Sequence, residues 1–261
     1  MTADEKMSLA RLLYTAGDYL RDGFRRPGEE YNFSDDEAFQ QDAPLPVISA
    51  AVPVPADSLE TVAAEIRECT GCPLRGERKN AVPGEGAARP LVLVIGEGPG
   101  ADEDASGRPF VGKAGQLLDR MLAAVGLSRE KNCFIANIVK CRPPNNRDPL
   151  PEETAPCSRF LIRQIRLLNP KLILCLGRIS TQTLLKTGAS LGSLRGSFAS
   201  YHAGDTPQGA ITIPLLPTYH PSAILRDESY KRPAWEDLKL LRQMLIEKDP
   251  DYALEAGEGG A

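Results

Sequence analysis

Imidazole is scarce in this chain: its 261 residues include two histidines, His202 and His220, and a single tryptophan. Any chemistry that draws on a histidine must use one of those two positions. Long apolar runs are also missing, since no window approaches the roughly 18 to 20 residues of a membrane helix. The first residues, "MTADEKMSLA", lack the basic end and apolar stretch of a secretory leader. A cytoplasmic protein with no membrane partner is therefore expected. Charge of one sign is lacking too, with a net charge of -4, which argues against a polyanion partner until it is divided along the chain. Residues 1–60 hold 5 Lys/Arg against 12 Asp/Glu, residues 61–248 hold 26 against 19, and residues 249–261 hold none against 4. A basic middle between acidic ends suits a phosphate-binding domain with solvated tails, because the local field at a binding face steers a polyanion. A mixed surface with acidic ends accounts for the charges equally well.

What is present divides into three parts. Residues 1–57 contain a stretch with Leu9, Leu12, Leu13, Ala16 and Leu20 at helical spacing, followed by an acidic, Pro/Ala-rich linker. That helix could dock a repair or replication partner, or simply pack on its own domain. Residues 58–248 read as the folded domain, and residues 249–261 as a disordered acidic tail. Within the domain, Asp57 or Ser58 opens a helix. Four near-continuous apolar segments follow, "LVLVIG" (91–96), "FIANIV" (134–139), "LILCLG" (172–177) and "ITIPLLP" (211–217). Such runs mark strands covered on both faces. Helical spacing occupies 116–125, 152–168, 179–186 and 235–246. The expectation is a three-layer α/β/α fold around a mainly parallel four-stranded sheet, with its site at the carboxyl ends of the strands.

Six cysteines in an intracellular chain do not suggest disulfides. Cys133 and Cys175 fall in apolar strands as small buried thiols. Cys69-x2-Cys72, Cys141 and Cys157 supply the four thiolates that zinc or an iron-sulfur cluster requires. Only one pair is tight, which leans toward a 4Fe-4S cluster without excluding zinc.

The segment "VLVIGEGPGADEDASGRPFVGKAGQ" has the setting of a phosphate loop but not its chemistry. It lacks the Gly-Lys-Ser/Thr ending of a P-loop and the spacing of a dinucleotide fingerprint. Its acids would repel a pyrophosphate. Glycines for close approach, a carboxylate (Glu97) and an aromatic (Phe110) better suit a flat uncharged ring and a water molecule. Asn137, an amide inside an apolar strand, offers a donor and an acceptor side by side, matching the O4 and N3–H edge of uracil. Its plainer use would be to satisfy neighbouring backbone.

Together "GEGPGADEDASGRPFVGKAG", "NIVKCRPP" and "YHPS", with the four cysteines in order, closely resemble the family 4 uracil-DNA glycosylases, the iron-sulfur branch of their superfamily. The resemblance runs from about Cys69 to about Leu245. It implies a monofunctional glycosylase, a monomer, that flips uracil from single- or double-stranded DNA and hydrolyses the N-glycosidic bond to leave an abasic site. It also implies a 4Fe-4S cluster on Cys69, Cys72, Cys141 and Cys157. By the same resemblance His220 donates to uracil O2, Phe110 stacks on the ring, Asn137 reads its edge, and Glu97 orients water. Gly98 and Gly100 line the pocket, and Glu103 fills space against the thymine methyl. In "HPSAILR", Ser222 and the loop residues Ile224, Leu225 or Arg226 meet DNA, while Lys140, Arg142 and Arg147 are candidates for phosphate contact. A plain alternative for His220 is that it caps a turn. Two other functions remain: a non-catalytic DNA-binding module, and a relative that traps DNA covalently through a histidine in an inserted loop. "RPFVGKAGQ" has no such insertion, and His202 lies far along the chain.

Overall fold

In the computed structural model, residues 57–206 and 209–252 are described. The helix and linker expected over residues 1–57 therefore lie, apart from Asp57, outside the described residues, as does the tail from 253 onward. Helix α1 (Leu59–Glu68) starts at Ser58, whose hydroxyl accepts from the Thr61 amide at 3.1 Å, so Ser58 and not Asp57 is the cap. Asp57 instead meets Arg163 at 2.6 Å.

The sheet has six strands where four were expected. The four apolar segments form the parallel centre: β2 (Val92–Gly96), β3 (Cys133–Asn137), β4 (Leu172–Leu176) and β6 (Gly209–Thr218). Two antiparallel edges complete the order β1-β3-β2-β4-β6-β5. One edge is the two-residue β1 (Glu85–Gly86) against β3, and the other is β5 (Ala199–Thr206) against β6. Neither carries an apolar run, because an edge strand needs no two-sided burial.

Helices cover both faces. The pleat sends Leu93 and Ile95 toward α1 and α4 (Pro151–Leu168), where Val62, Ile66, Phe160 and Ile165 are fully or almost fully buried. It sends Val92 and Val94 the other way, toward Leu118 and Leu122 of α3 (Lys113–Ala123) and Leu238, Leu241 and Leu245 of α8 (Lys231–Lys248). This second layer extends past the expected boundary at 248. Tyr252 is 3% exposed, and its hydroxyl bonds the Val125 carbonyl, so the first residues assigned to the tail belong to the packed domain. Shorter helices lie along the carboxyl edge: α2 (Ala101–Ser106), α5 (Arg178–Leu185), α6 (Leu191–Leu194) and α7 (Pro221–Arg226).

Because β3 lies on one side of β2 and β4 and β6 lie on the other, the chain reverses its winding at β2. Such a switch point opens a crevice at the carboxyl ends of the strands.

Candidate active site

Each parallel strand contributes to that crevice. Glu97, Gly98 and Gly100 follow β2, Asn137 ends β3, Gly177 follows β4, and Tyr219 and His220 follow β6; with Phe110 they line one open groove. Asn137 is 1% exposed, yet its side-chain oxygen has no hydrogen-bond partner among the described residues. An unmade buried acceptor costs about 1–3 kcal/mol, and this one belongs to a residue that lines the groove. A Cβ at Gly96 would stand 2.5 Å from Asn137 Oδ1 and 2.6 Å from Phe110 Cζ. Glycine at the end of β2 is what lets amide and ring approach each other, a role that sequence reading did not assign to Gly96.

Phe110 takes a left-handed backbone conformation, φ 51°, which is unfavourable for a residue with a Cβ. Two charged side chains hold it there. Arg129 donates to the Pro109 and Phe110 carbonyls, each at 3.0 Å, and pairs with Asp119 at 2.7 Å. Glu103 Oε1 accepts from the Val111 and Gly112 amides at 2.9 and 3.0 Å, and its Oε2 accepts from Gly100 at 3.1 Å. Three consecutive peptide groups between Pro109 and Gly112 are thus gripped, the middle one through both its carbonyl and its amide. Glu103 does line the groove, but its carboxylate is committed to three amides that join the Gly100 and Phe110 loops. Arg129 has no local signature in the sequence.

His220 caps α7. Its Nδ1 accepts from the Ser222 amide at 3.1 Å and lies 2.8 Å from the Ser222 hydroxyl. Capping uses one ring nitrogen and leaves the other available: with Nδ1 accepting, a neutral ring carries its proton on Nε2. Burial, with Arg226 nearby, pushes the imidazole pKa down to about 4, so the ring is neutral at pH 7. It stands 5.6 Å from the Phe110 ring, centroid to centroid. Behind it the buried Asp237 accepts from the Thr218 hydroxyl at 2.7 Å and from Arg195 at 2.8 Å, bracing the end of β6. The Glu97 carboxyl makes no hydrogen bond among the described residues. Burial and the neighbouring Asp148 lift its carboxyl to about 7, opposed in part by Arg178.

The DNA-facing expectations need corrections. "PSAILR" is a short helix, not a loop, because Pro221 sits in its first turn and His220 caps it. Ile224 faces inward at 2% exposure, leaving Leu225, 50% exposed, and Arg226 on the outside. Ser222 lines the groove beside them. Lys140 is 1% exposed and points into the protein, so it is no phosphate ligand. Arg147 pairs with Glu153 and Arg142 bonds Asn146.

The four spaced cysteines come together. Cys69, Cys72, Cys141 and Cys157 are free thiols lining one cavity between α1, α4 and the segment after β3. Arg78 donates to Cys141 Sγ at 3.0 Å and the Gly71 amide to Cys69 Sγ at 3.4 Å. Such donors stabilise thiolate. Burial, opposed in part by Lys140 and reinforced by Cys141 and Cys72, pushes the Cys157 thiol up to about 11. Among the described residues no three His, Cys, Asp or Glu side chains form a site for a single metal ion. Cys133 and Cys175 are buried in the sheet, and burial raises both thiols. No helix among the described residues is long and apolar enough to cross a membrane.

Comparison with known proteins accords with this geometry. Residues 83–239 match the model of the uracil DNA glycosylase superfamily. The chain is 44% identical over 197 residues to the type-4 uracil-DNA glycosylase of Saccharolobus solfataricus, covering 74% of this chain and 88% of that one. It is 40% identical over 190 residues to the Thermotoga maritima type-4 enzyme, covering 72% and 94%. Against the Archaeoglobus fulgidus type-4 enzyme it is 38% identical over 197 residues, covering 74% and 96%. With a switch-point groove, a buried unpaired amide and a family match that spans the sheet, this chain belongs to the type-4 uracil-DNA glycosylases of the uracil DNA glycosylase superfamily.

Proposed function

We propose that the protein excises uracil from DNA by hydrolysing the bond between N1 and C1′, leaving an abasic site. A base inside a duplex cannot reach such a groove, so the nucleotide is flipped, at a cost of a few kcal/mol. The observation that carries the reading is the convergence of an unpaired amide oxygen, an aromatic ring and a neutral imidazole on one groove. Asn137 Oδ1 accepts N3–H and its amide nitrogen donates to O4. Cytosine presents the opposite pattern and would leave both groups unpaired, a rejection of roughly 10⁴-fold. Phe110 stacks on the ring. As the glycosidic bond lengthens toward an oxocarbenium sugar, negative charge gathers on uracil O2, where the Nε2–H of His220 stabilises the transition state more than the substrate. Glu97 orients the water that captures C1′. Gly98 and Gly100 line the pocket beside Glu103, which keeps thymine out by holding the pocket wall close. Ser222, Leu225 and Arg226 lie on the DNA side, with Leu225 available to fill the space that the base vacates.

Cys69, Cys72, Cys141 and Cys157 would hold a 4Fe-4S cluster. Four irons, each bound by one thiolate, need a wider ring of sulfurs than a zinc ion at about 2.3 Å from every ligand. The cluster would cross-link α1, α4 and the segment after Asn137; no step of the hydrolysis needs its electrons. Incubation of the pure protein with a uracil-containing oligonucleotide should give alkali-labile abasic sites and free uracil. Intact DNA, or a protein adduct that survives denaturation, would reject the proposal.

A further inference from the structure

Among the largest fully buried side chains of the described residues is a lysine. Lys140 Nζ donates to the Asn137 backbone carbonyl at 2.9 Å and to Gln164 Oε1 at 2.7 Å. Gln164 in turn donates through Nε2 to the Pro83 carbonyl at 2.7 Å, which fixes its oxygen toward the lysine. Both partners are neutral, and Lys140 has no carboxylate partner among the described residues. Two neutral oxygens solvate an ammonium but do not cancel its charge, and an uncompensated buried charge is strongly disfavoured. The same residue lines the cysteine cavity. On the other side, its carbonyl partner belongs to the residue whose amide oxygen awaits a donor in the groove. Between the two sites run only Ile138, Val139 and Lys140, tied to β2 and to Val82 by the bonds Ile138 N to Gly96 O, Val139 N to Glu97 O and Val82 N to Lys140 O.

We propose that Lys140 is a positioning residue joining the two sites: its ammonium offsets the negative charge of the four-thiolate centre while its grip on the Asn137 carbonyl sets the base-reading amide. The proposal rests on the reading of the cysteines as cluster ligands. A cluster with four thiolates carries net negative charge, which supplies the counter-charge that the lysine otherwise lacks. The cluster then acts on base recognition through one hydrogen bond, without touching the base.

The test uses the full-length, iron-loaded protein and its Lys140→Met variant, in which a side chain of similar length keeps the packing and loses the charge and the donors. Iron and sulfide per chain come first: a wild type without iron removes the cluster reading, and the grip on Asn137 is then judged by uracil affinity alone. With iron present, the variant should shift the cluster's reduction potential to a more negative value, because a nearby positive charge favours the reduced state. It should also weaken binding of free uracil by about tenfold, the lower end of what outer-shell substitutions cost. Unchanged potential and unchanged uracil affinity in the variant overturn the proposal. Should the variant not accumulate, hydrogen exchange on wild type before and after iron removal decides. Faster exchange confined to 137–141, with β4 still protected, supports the tie, whereas no change, or loss of protection across the sheet, overturns it.

Discussion

The groove and the cysteine cavity flank one short stretch of chain, Asn137 to Cys141, and are held in place by opposite means. The groove is shaped by charged side chains: Arg129 and Glu103 grip the backbone of the Phe110 loop, and Asp237, paired with Arg195, holds the Thr218 hydroxyl behind His220. The cysteine cavity gathers its four thiols from three segments, the end of α1, the chain after β3 and α4, which are packed on one another through Val62, Ile66 and Phe160. A pocket that must accept and release a base keeps its recognition groups unpaired and spends its internal hydrogen bonds on the wall. The cysteine centre lies inside the core, where, on the cluster reading, a bound group would add a cross-link to that packing. Lesions in the first should therefore cost rate at nearly constant stability, and lesions in the second should cost stability first.

The largest effect expected is on His220→Ala. Removing a donor aimed at developing charge costs about 10²- to 10³-fold, so single-turnover excision should fall by that factor while uracil-DNA binding persists. Excision at wild-type rate would take the imidazole out of the chemistry. Glu103→Gln comes next: it keeps the shape but leaves one acceptor oxygen where there were two, so at least one of the three amide bonds that join the Gly100 and Phe110 loops is lost. Excision should drop about 10- to 100-fold with little change in Tm, and discrimination against thymine should narrow. A variant that loses Tm instead would erase the contrast between wall and core. Cys157→Ala should reverse the pattern. Loss of a cross-link of this size costs about 2–4 kcal/mol, or roughly 4 to 16 °C in Tm for such a domain, read by a thermal melt beside an iron assay.

Much of this was legible in the sequence because each part had a local signal. Four apolar runs marked the parallel strands, helical spacing located α3, α4, α5 and α8, and the glycine-rich segment, the strand amide and the spaced thiols marked the two cavities. The missed parts have no such signal. β5 reads "ASYHAGDT", polar as an edge strand is free to be. Arg129 grips carbonyls 19 and 20 residues away, a partnership that only the fold creates. Lys140, amid basic residues, looked like a phosphate ligand until Gln164, 24 positions on, drew it inside. Ile224 and Leu225 are adjacent and equally apolar, and only the turn of α7 decides which one is buried.

The smallest effect expected concerns Glu97 and separates groove from core by pH. Burial raises this carboxyl to about 7 from an ordinary value of 4.5, so between those values the folded state binds more protons than the unfolded one. Its contribution to stability is complete below about pH 4.5 and is lost as pH rises through about 7. Activity should move the other way, because in the proposed mechanism the ionised carboxylate is the form that orients water. Single-turnover excision should rise by about tenfold from pH 6 to pH 8 as the ionised fraction grows. His220, held down to about 4, adds no limb in that range. Glu97→Gln should flatten the profile and remove the stability slope together. If the rise survives in the glutamine variant, the titrating group lies elsewhere, and the unpartnered carboxyl beside Asp148 serves the groove's electrostatics rather than its water.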